Sequence, residues 1–379
     1  MNPGASPVTN PATGPDLILG VLVNPIAGMG GRVGLHGTDG DALNAAVAAG
    51  AVPVAGDRMR RTLTRLSPSG LPLTVLTVAG PMGADLMPPG WVVELIGSPG
   101  RVTTAADTRA AATAMVERGV SLLLFGGGDG TARDVAAVLN SPGSRIPMLG
   151  VPSGVKMHSG VFAVSPEAAG DAVARYLARP SELGEAEIVD TDSSGTRLFG
   201  TAAVPQISGA LQSAKAISTG AVDRDLPGLG RAVAAEMEAG RLYLLGPGST
   251  VAQVSRALGL APTVGGVDAV LDGRTLVADA GEADLLRLLA VHARAALILG
   301  VVGGQGFLFG RGNQQLSPAV LAAVGSENIE IIAAAGKVAA LDPPVLRIDV
   351  DDRSLRESLV GYRRVRTSRQ HSTVLQVLA

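Results

Sequence analysis

The sequence predicts an α/β protein built on a parallel sheet, and three observations carry that prediction. The apolar runs at 17–23, 71–78, 121–125 and 146–151 are continuous, the pattern of strands covered on both faces. Helical patterns at 41–49, 104–118 and 132–139 separate them, as crossover connections between parallel strands require. The 121–125 run also passes directly into Gly126-Gly127-Gly128-Asp129-Gly130-Thr131 before the next helix begins, which reads as strand, tight turn and helix N-terminus.

Each element has a local reason. The first strand, 17–23, ends at Asn24-Pro25, and a glycine-rich loop runs from Gly28 to Gly40 before the 41–49 helix. The run at 91–96 is a weaker strand. Thr103 or Thr104 fits the N-cap of the alanine-rich 104–118 helix. Beyond residue 160, 168–178 is helical, and 185–189 and 197–204 form an antiparallel pair joined by a turn at Asp192-Ser193-Ser194-Gly195. The strand at 242–245 leads through Gly246-Pro247-Gly248-Ser249-Thr250 into a helix at 251–258. Further strands fall at 295–302 and 329–333. The expected division is a tail at 1–15, a phosphate-binding domain at 16–160 and a second domain at 161–379.

Composition narrows the class. At 379 residues the chain is long enough for two domains, and 46% hydrophobic against 17% charged residues is a globular balance. A net charge of −2 and only 2% aromatics argue against nucleic acid and anionic membranes as partners. Cysteine is absent, which excludes disulfides, thiolate nucleophiles and cysteine-based metal sites. The first residues show neither the charged nor the apolar region of a signal peptide, so the expected location is the cytoplasm.

The Gly126–Thr131 turn carries the chemistry. A helix N-terminus presents unpaired N–H groups and the positive end of the helix dipole, and glycines let a phosphate reach the backbone. Asp129 does not belong in a plain anion cradle. A carboxylate beside phosphates suits a magnesium ion or the orientation of a hydroxyl, which points to phosphoryl transfer. The turn could also be structural, with Thr131 as a cap. Other candidates are Asn24, Gly30, Thr38 and Asp39 in the first loop, Lys156 as a point charge on phosphate, and Arg311 with Asn313 in the glycine-rich 303–314 stretch for phosphate or ribose. His158 fits either a packed or a catalytic role. Gly246–Thr250 is a weaker anion site because its proline removes a donor. A Walker A loop is excluded, because none of the three lysines (Lys156, Lys215, Lys337) sits in Gly-Lys-Ser/Thr. A dinucleotide fingerprint fails at Val33, where its third glycine would fall.

Residues 121–135 resemble the Gly-Gly-Asp-Gly-Thr signature of NAD kinases, diacylglycerol and sphingosine kinases and 6-phosphofructokinase relatives. Asn24-Pro25-Ile26-Ala27-Gly28, Gly30-Gly31-Arg32-Val33-Gly34 and Gly37-Thr38-Asp39-Gly40 make the wider pattern similar to the ATP-NAD kinase family, in the branch of the acetoin-catabolism AcoX proteins. Residues 152–162, 244–250 and 303–318 share that likeness, which spans about 17 to 366. The resemblance implies a Rossmann-like N-terminal domain, a second strand-rich α/β domain and an active site in the cleft between them. It also implies ATP, Mg2+ and NAD as cofactors and substrates, and a homo-oligomer. Asp129 would be the base or metal contact, with Gly127, Gly128, Gly130 and Thr131 along the phosphates. The chain departs from the family at several points. It lacks the Asn-Glu pair of common NAD kinases, has His36 where the branch has lysine, and has Val301-Val302 and Asp349-Val350-Asp351-Asp352 in place of Pro-Ile and Asp-Thr-Gly-Asp. Transfer to the 2′-hydroxyl of NAD is the leading expectation. A kinase for another alcohol, or a nucleotide-binding accessory protein, stands beside it.

Overall fold

A computed structural model describes residues 17–35, 41–100, 102–140, 146–155, 157–180, 182–192, 195–213 and 226–379. The first half folds as β1 (Leu17–Val23), α1 (Asp41–Ala48), α2 (Ala55–Leu66), β2 (Leu73–Thr77), β3 (Val92–Leu95), α3 (Ala105–Glu117), β4 (Leu122–Gly127), α4 (Asp129–Leu139), β5 (Met148–Pro152) and α5 (Pro166–Ala178). All five strands are parallel in the order β3-β2-β1-β4-β5. Every residue of β4 and β5 is buried, as their unbroken apolar runs require.

Helices cover both faces of this sheet. Leu22, Leu123 and Phe125 pack on one side with Ala112 and Met115 of α3 and Val135 and Leu139 of α4. Leu19, Val21 and Leu124 pack on the other with Met59 and Leu63 of α2 and Val173 and Leu177 of α5. Met59 and Leu63 are fully buried, and each contributes about 2 kcal/mol from apolar burial. Ser165 caps α5 by accepting the Ala168 N–H at 3.2 Å, with Pro166 in the first turn. Gly150 lets β5 pass Phe162, because a Cβ there would lie 2.4 Å from the ring.

A two-stranded antiparallel ribbon, β6 (Leu183–Asp192) and β7 (Gly195–Pro205), then packs against α4 and β5. The rest forms α6 (Leu226–Ala235), β8 (Leu242–Leu245), α7 (Ala252–Ala257), β9 (Asp268–Leu271), β10 (Arg274–Val277), α8 (Glu282–Val291), β11 (Ala295–Gly300), β12 (Phe307–Phe309), α9 (Pro318–Val324), β13 (Ile329–Ile332), α10 (Ala335–Ala339), β14 (Val345–Ile348), α11 (Arg353–Leu359), β15 (Gly361–Arg366) and β16 (Ser372–Leu378). Their strands make a nine-stranded mixed sheet in the order β10-β9-β8-β11-β13-β15-β16-β14-β12. The fold is the expected α/β architecture, a parallel-sheet domain followed by a second strand-rich one. No helix among the described residues is long and apolar enough to cross a membrane.

Candidate active site

In a sheet ordered 3-2-1-4-5, the order in which strands are added reverses between β1 and β4, and a crevice opens there beyond the strand C-termini. The two loops at that crevice are the ones singled out in the sequence. Asn24, just after β1, donates its side-chain N–H to Thr131 Oγ1 at 3.2 Å and accepts the Ile26 N–H at 3.2 Å. Its backbone N–H bonds to Gly126 O at 2.9 Å, so the loop after β1 is fastened to the end of β4. Gly30 is buried, and its carbonyl accepts the Leu35 N–H.

Two glycines near Asp129, Gly127 and Gly130, serve different ends. A Cβ on Gly127 would sit 2.5 Å from Thr131, so that glycine is needed for strand-to-helix packing. A Cβ on Gly130 would meet nothing within 4 Å. Gly130 lies in the first turn of α4, whose leading N–H groups have no partner within the helix. It is an open approach to the backbone at the positive end of an eleven-residue helix.

Asp129 itself is 4% exposed. Its Oδ1 accepts the Ser159 N–H at 2.9 Å and the Ser159 hydroxyl at 2.7 Å, and its Oδ2 accepts the His158 N–H at 2.7 Å. The Ser159 hydroxyl in turn accepts the Val189 N–H at 3.0 Å. His158 Nδ1 lies 3.7 Å from Oδ2. Burial pushes the carboxyl up to about 6, against the lowering effect of these hydrogen bonds. A carboxylate offers about four acceptor positions, and the described residues fill three, so among them the remaining capacity is on Oδ2.

The chain matches two sequence-family models, the ATP-NAD kinase N-terminal domain over residues 19–180 and the ATP-NAD kinase C-terminal domain over residues 239–377. The chain belongs to the ATP-NAD kinase family. It is therefore a small-molecule kinase, a transferase that moves a phosphoryl group, and ATP and NAD binding go with that family. No curated protein matches the chain, and no solved structure matches it either.

The second half of this kinase closes on the first through buried charge. Arg58 of α2 donates to Pro152 O at the end of β5, to Asp349 after β14, and to Asp351 at 2.9 Å. Arg311 donates to the same Asp349 oxygen, to Gln212 Oε1 at 3.2 Å and to Val164 O at 3.2 Å, and lies 4.1 Å over the Phe307 ring. Burial alone would raise the Asp349 carboxyl, but the two guanidiniums overcome it and hold the group at about 2. Burial, together with Arg58, lowers Arg311, while Asp349 opposes them. Beside this cluster is a cleft lined by Gly28, Ser153 and Arg58 from the first half and Gly310, Gln314 and Asp349 from the second.

The structure brings Asn24, Gly127, Gly128, Asp129, Gly130 and Thr131 together, while Gly30 lies further along the loop that follows Asn24, bonded to Leu35. Arg311 and Asn313 reach the seam between the halves, but their polar atoms turn onto protein. The Asn313 side chain accepts the Gly310 N–H at 2.9 Å and donates to Leu308 O at 2.7 Å, which staples its own loop. Arg311 is 5% exposed and engaged by its neighbours, so both residues organise the seam and neither presents a free group to a ligand. Thr38, Asp39 and Lys156 lie outside the described residues. Sequence reasoning missed Arg58, because the helix that carries it was not read. It also missed the role of Asp349, whose one signal was the acidic run after a strand. Among the described residues no cluster of three or more His, Asp or Glu side chains is placed to hold a metal. The open position on Asp129 Oδ2 fits one further partner, either Mg2+, which commonly binds one or two carboxylates and completes its shell with phosphates and water, or a substrate hydroxyl.

Proposed function

We propose that this chain transfers the γ-phosphoryl group of ATP to the 2′-hydroxyl of NAD, giving NADP, in the cleft between its two halves. The observation that carries the reading is Asp129, a buried carboxylate with one acceptor position left, at the N-terminus of a helix and at the switch point of the sheet. In this reading Oδ2 accepts the hydroxyl proton while the hydroxyl oxygen bonds to phosphorus and the bond to the ADP oxygen breaks. The N–H groups of Gly130 and Thr131 face the phosphates, Gly127 and Gly128 hold the turn, and Lys156 supplies a charge. With that position taken by the hydroxyl, Mg2+ would be held by the phosphates and water, where it would neutralise developing charge. Arg311 and Asn313 shape the loop that closes the site. The protein's contribution is positioning and charge, which is most of what this reaction needs.

The cytoplasm and a homo-oligomer are further parts of the reading. A different hydroxyl acceptor is favoured by one sequence observation, the lack of the Asn-Glu pair. The test is purified protein with ATP, Mg2+ and NAD, read by an enzyme that uses only NADP. Formation of NADP that disappears in Asp129→Asn supports the reading. Phosphorylation of another alcohol, with NAD inert, replaces the acceptor.

A further inference from the structure

We propose that Gln212 and Gln305 are positioning residues that set Asp129 through a single peptide group, the one joining Met157 to His158. The side-chain amides of Gln212 and Gln305 both donate to Met157 O, each at 3.0 Å. The N–H of that same peptide group belongs to His158 and donates to Asp129 Oδ2 at 2.7 Å. A peptide group is planar and rigid, so fixing its oxygen from two directions fixes the direction of its N–H. Hydrogen bonds to its oxygen also polarise the unit and strengthen the N–H as a donor. Oδ2 is the oxygen with the open position, so the peptide plane governs where that position points.

The two glutamines come from different parts of the chain. Gln212 follows β7, is buried, and also holds Ser159 O at 2.9 Å, so it supports both residues that cap Asp129. Its orientation is fixed because Arg311 Nε donates to its Oε1 at 3.2 Å, which leaves Nε2 facing the two carbonyls. Arg311 thereby acts on Asp129 through Gln212 and the peptide group. Gln305 lies between β11 and β12, so the second sheet reaches the carboxylate of the first through one side chain. Gln305 is 5% exposed, and its Oε1 meets no hydrogen-bond partner among the described residues. A buried, unpaired acceptor lowers stability. The side chain therefore serves through its donor, and stability is not what it supplies.

This inference rests on the reading of Asp129 Oδ2 as the atom that meets the acceptor hydroxyl. The test compares Gln305→Leu, Gln212→Leu and the isosteric Gln305→Glu with wild type, with ATP, Mg2+ and NAD as substrates. Gln305→Leu is expected to lower kcat about tenfold, to leave both KM values within about twofold, and to melt at or above wild type. Gln305→Glu, which loses the donor, should not restore the rate. In an Asp129→Asn background, Gln305→Leu should change the residual rate less than about twofold, because both act at one carboxylate. An unchanged kcat, or the same tenfold loss without Asp129, overturns the proposal. Hydrogen exchange of the His158 amide, followed by NMR, needs no turnover. It should quicken about tenfold in Gln305→Leu, and in Gln212→Leu if that variant folds, while α4 amides such as Ala136 stay as in wild type. Unchanged exchange at His158 also overturns it. Should wild type phosphorylate no acceptor while exchange responds as expected, the kinase assignment of Asp129 fails and the positioning role stands.

Discussion

Asn24 and Thr131 are 107 positions apart in the chain and 3.2 Å apart in space, joined by a hydrogen bond from the asparagine amide to the threonine hydroxyl. The bond spans the gap between the loops that follow β1 and β4. It is the local reason that two separate glycine-rich segments present one surface. Asn24→Ala removes this bond and the acceptor for the Ile26 N–H. The expected cost is about 1–3 kcal/mol for the groups left unpaired, with a fall in melting temperature of a few degrees and a higher KM for ATP. Calorimetry and initial rates check both. A variant with unchanged KM would separate the loop contact from nucleotide binding.

Gly130→Ala separates folding from ligand approach. The added methyl meets no atom within 4 Å and sits in a helical turn. Replacing glycine there stabilises by about 0.5–1 kcal/mol if nothing else intervenes. A ligand that approaches this backbone would collide with the methyl. The expected result is a variant that melts slightly higher and binds ATP at least tenfold more weakly by titration calorimetry. Wild-type affinity would move the phosphates elsewhere.

The Asp129 carboxyl at about 6 predicts a pH dependence of rate. A base must be ionised, so kcat/KM should rise between pH 5 and 7 with an apparent midpoint near 6, and His158→Gln should keep that limb. The stability sign is opposite. The native carboxyl binds its proton more tightly than the ordinary value of 3.8, so this group costs stability as pH rises from about 4 through 6. The cost at neutral pH is about 3 kcal/mol, and Asp129→Asn relieves it while losing a hydrogen bond worth about 1–3 kcal/mol. That variant should melt near wild type and lose turnover at least a hundredfold.

Asp349 behaves in the other direction. Held at about 2 by Arg58 and Arg311, it supplies stability that is fully present above pH 4 and lost as pH falls through 2. Asp349→Asn leaves two buried guanidiniums without their shared partner, and the expected loss is about 3–5 kcal/mol. Denaturant unfolding at pH 7 checks the size. A loss below 1 kcal/mol would mean that the seam is held by other contacts.

Much of this was legible in the chain. β1 was readable because its apolar run is unbroken, and the β6–β7 ribbon because Asp192-Ser193-Ser194-Gly195 punctuates it. α4 was readable because glycine and aspartate mark its start. The α2 helix was not, since its polar face obscured the stripe of Met59, Leu63 and Leu66 that packs on the sheet. The glycine turn and Asn24 carried local signals strong enough to mark the first half's part of the candidate site. Arg58, Gln212 and Gln305 carried none, and Asp349 only the acidic run after a strand, because their roles arise from contacts such as Gln305 to Met157, 148 positions apart. Arg311 was found by its loop, yet its burial against Phe307 and Asp349 could not be read from neighbours in sequence.

Transfer to NAD, with Asp129 receiving the hydroxyl proton, is what we propose. The most direct measurement is NADP formation from ATP, Mg2+ and NAD by wild type and Asp129→Asn, with the melting temperature of each recorded alongside. The expected result is NADP from wild type, at least a hundredfold less from the variant, and melting temperatures within a few degrees of each other. NADP formation at a comparable rate by a folded Asp129→Asn protein would contradict it.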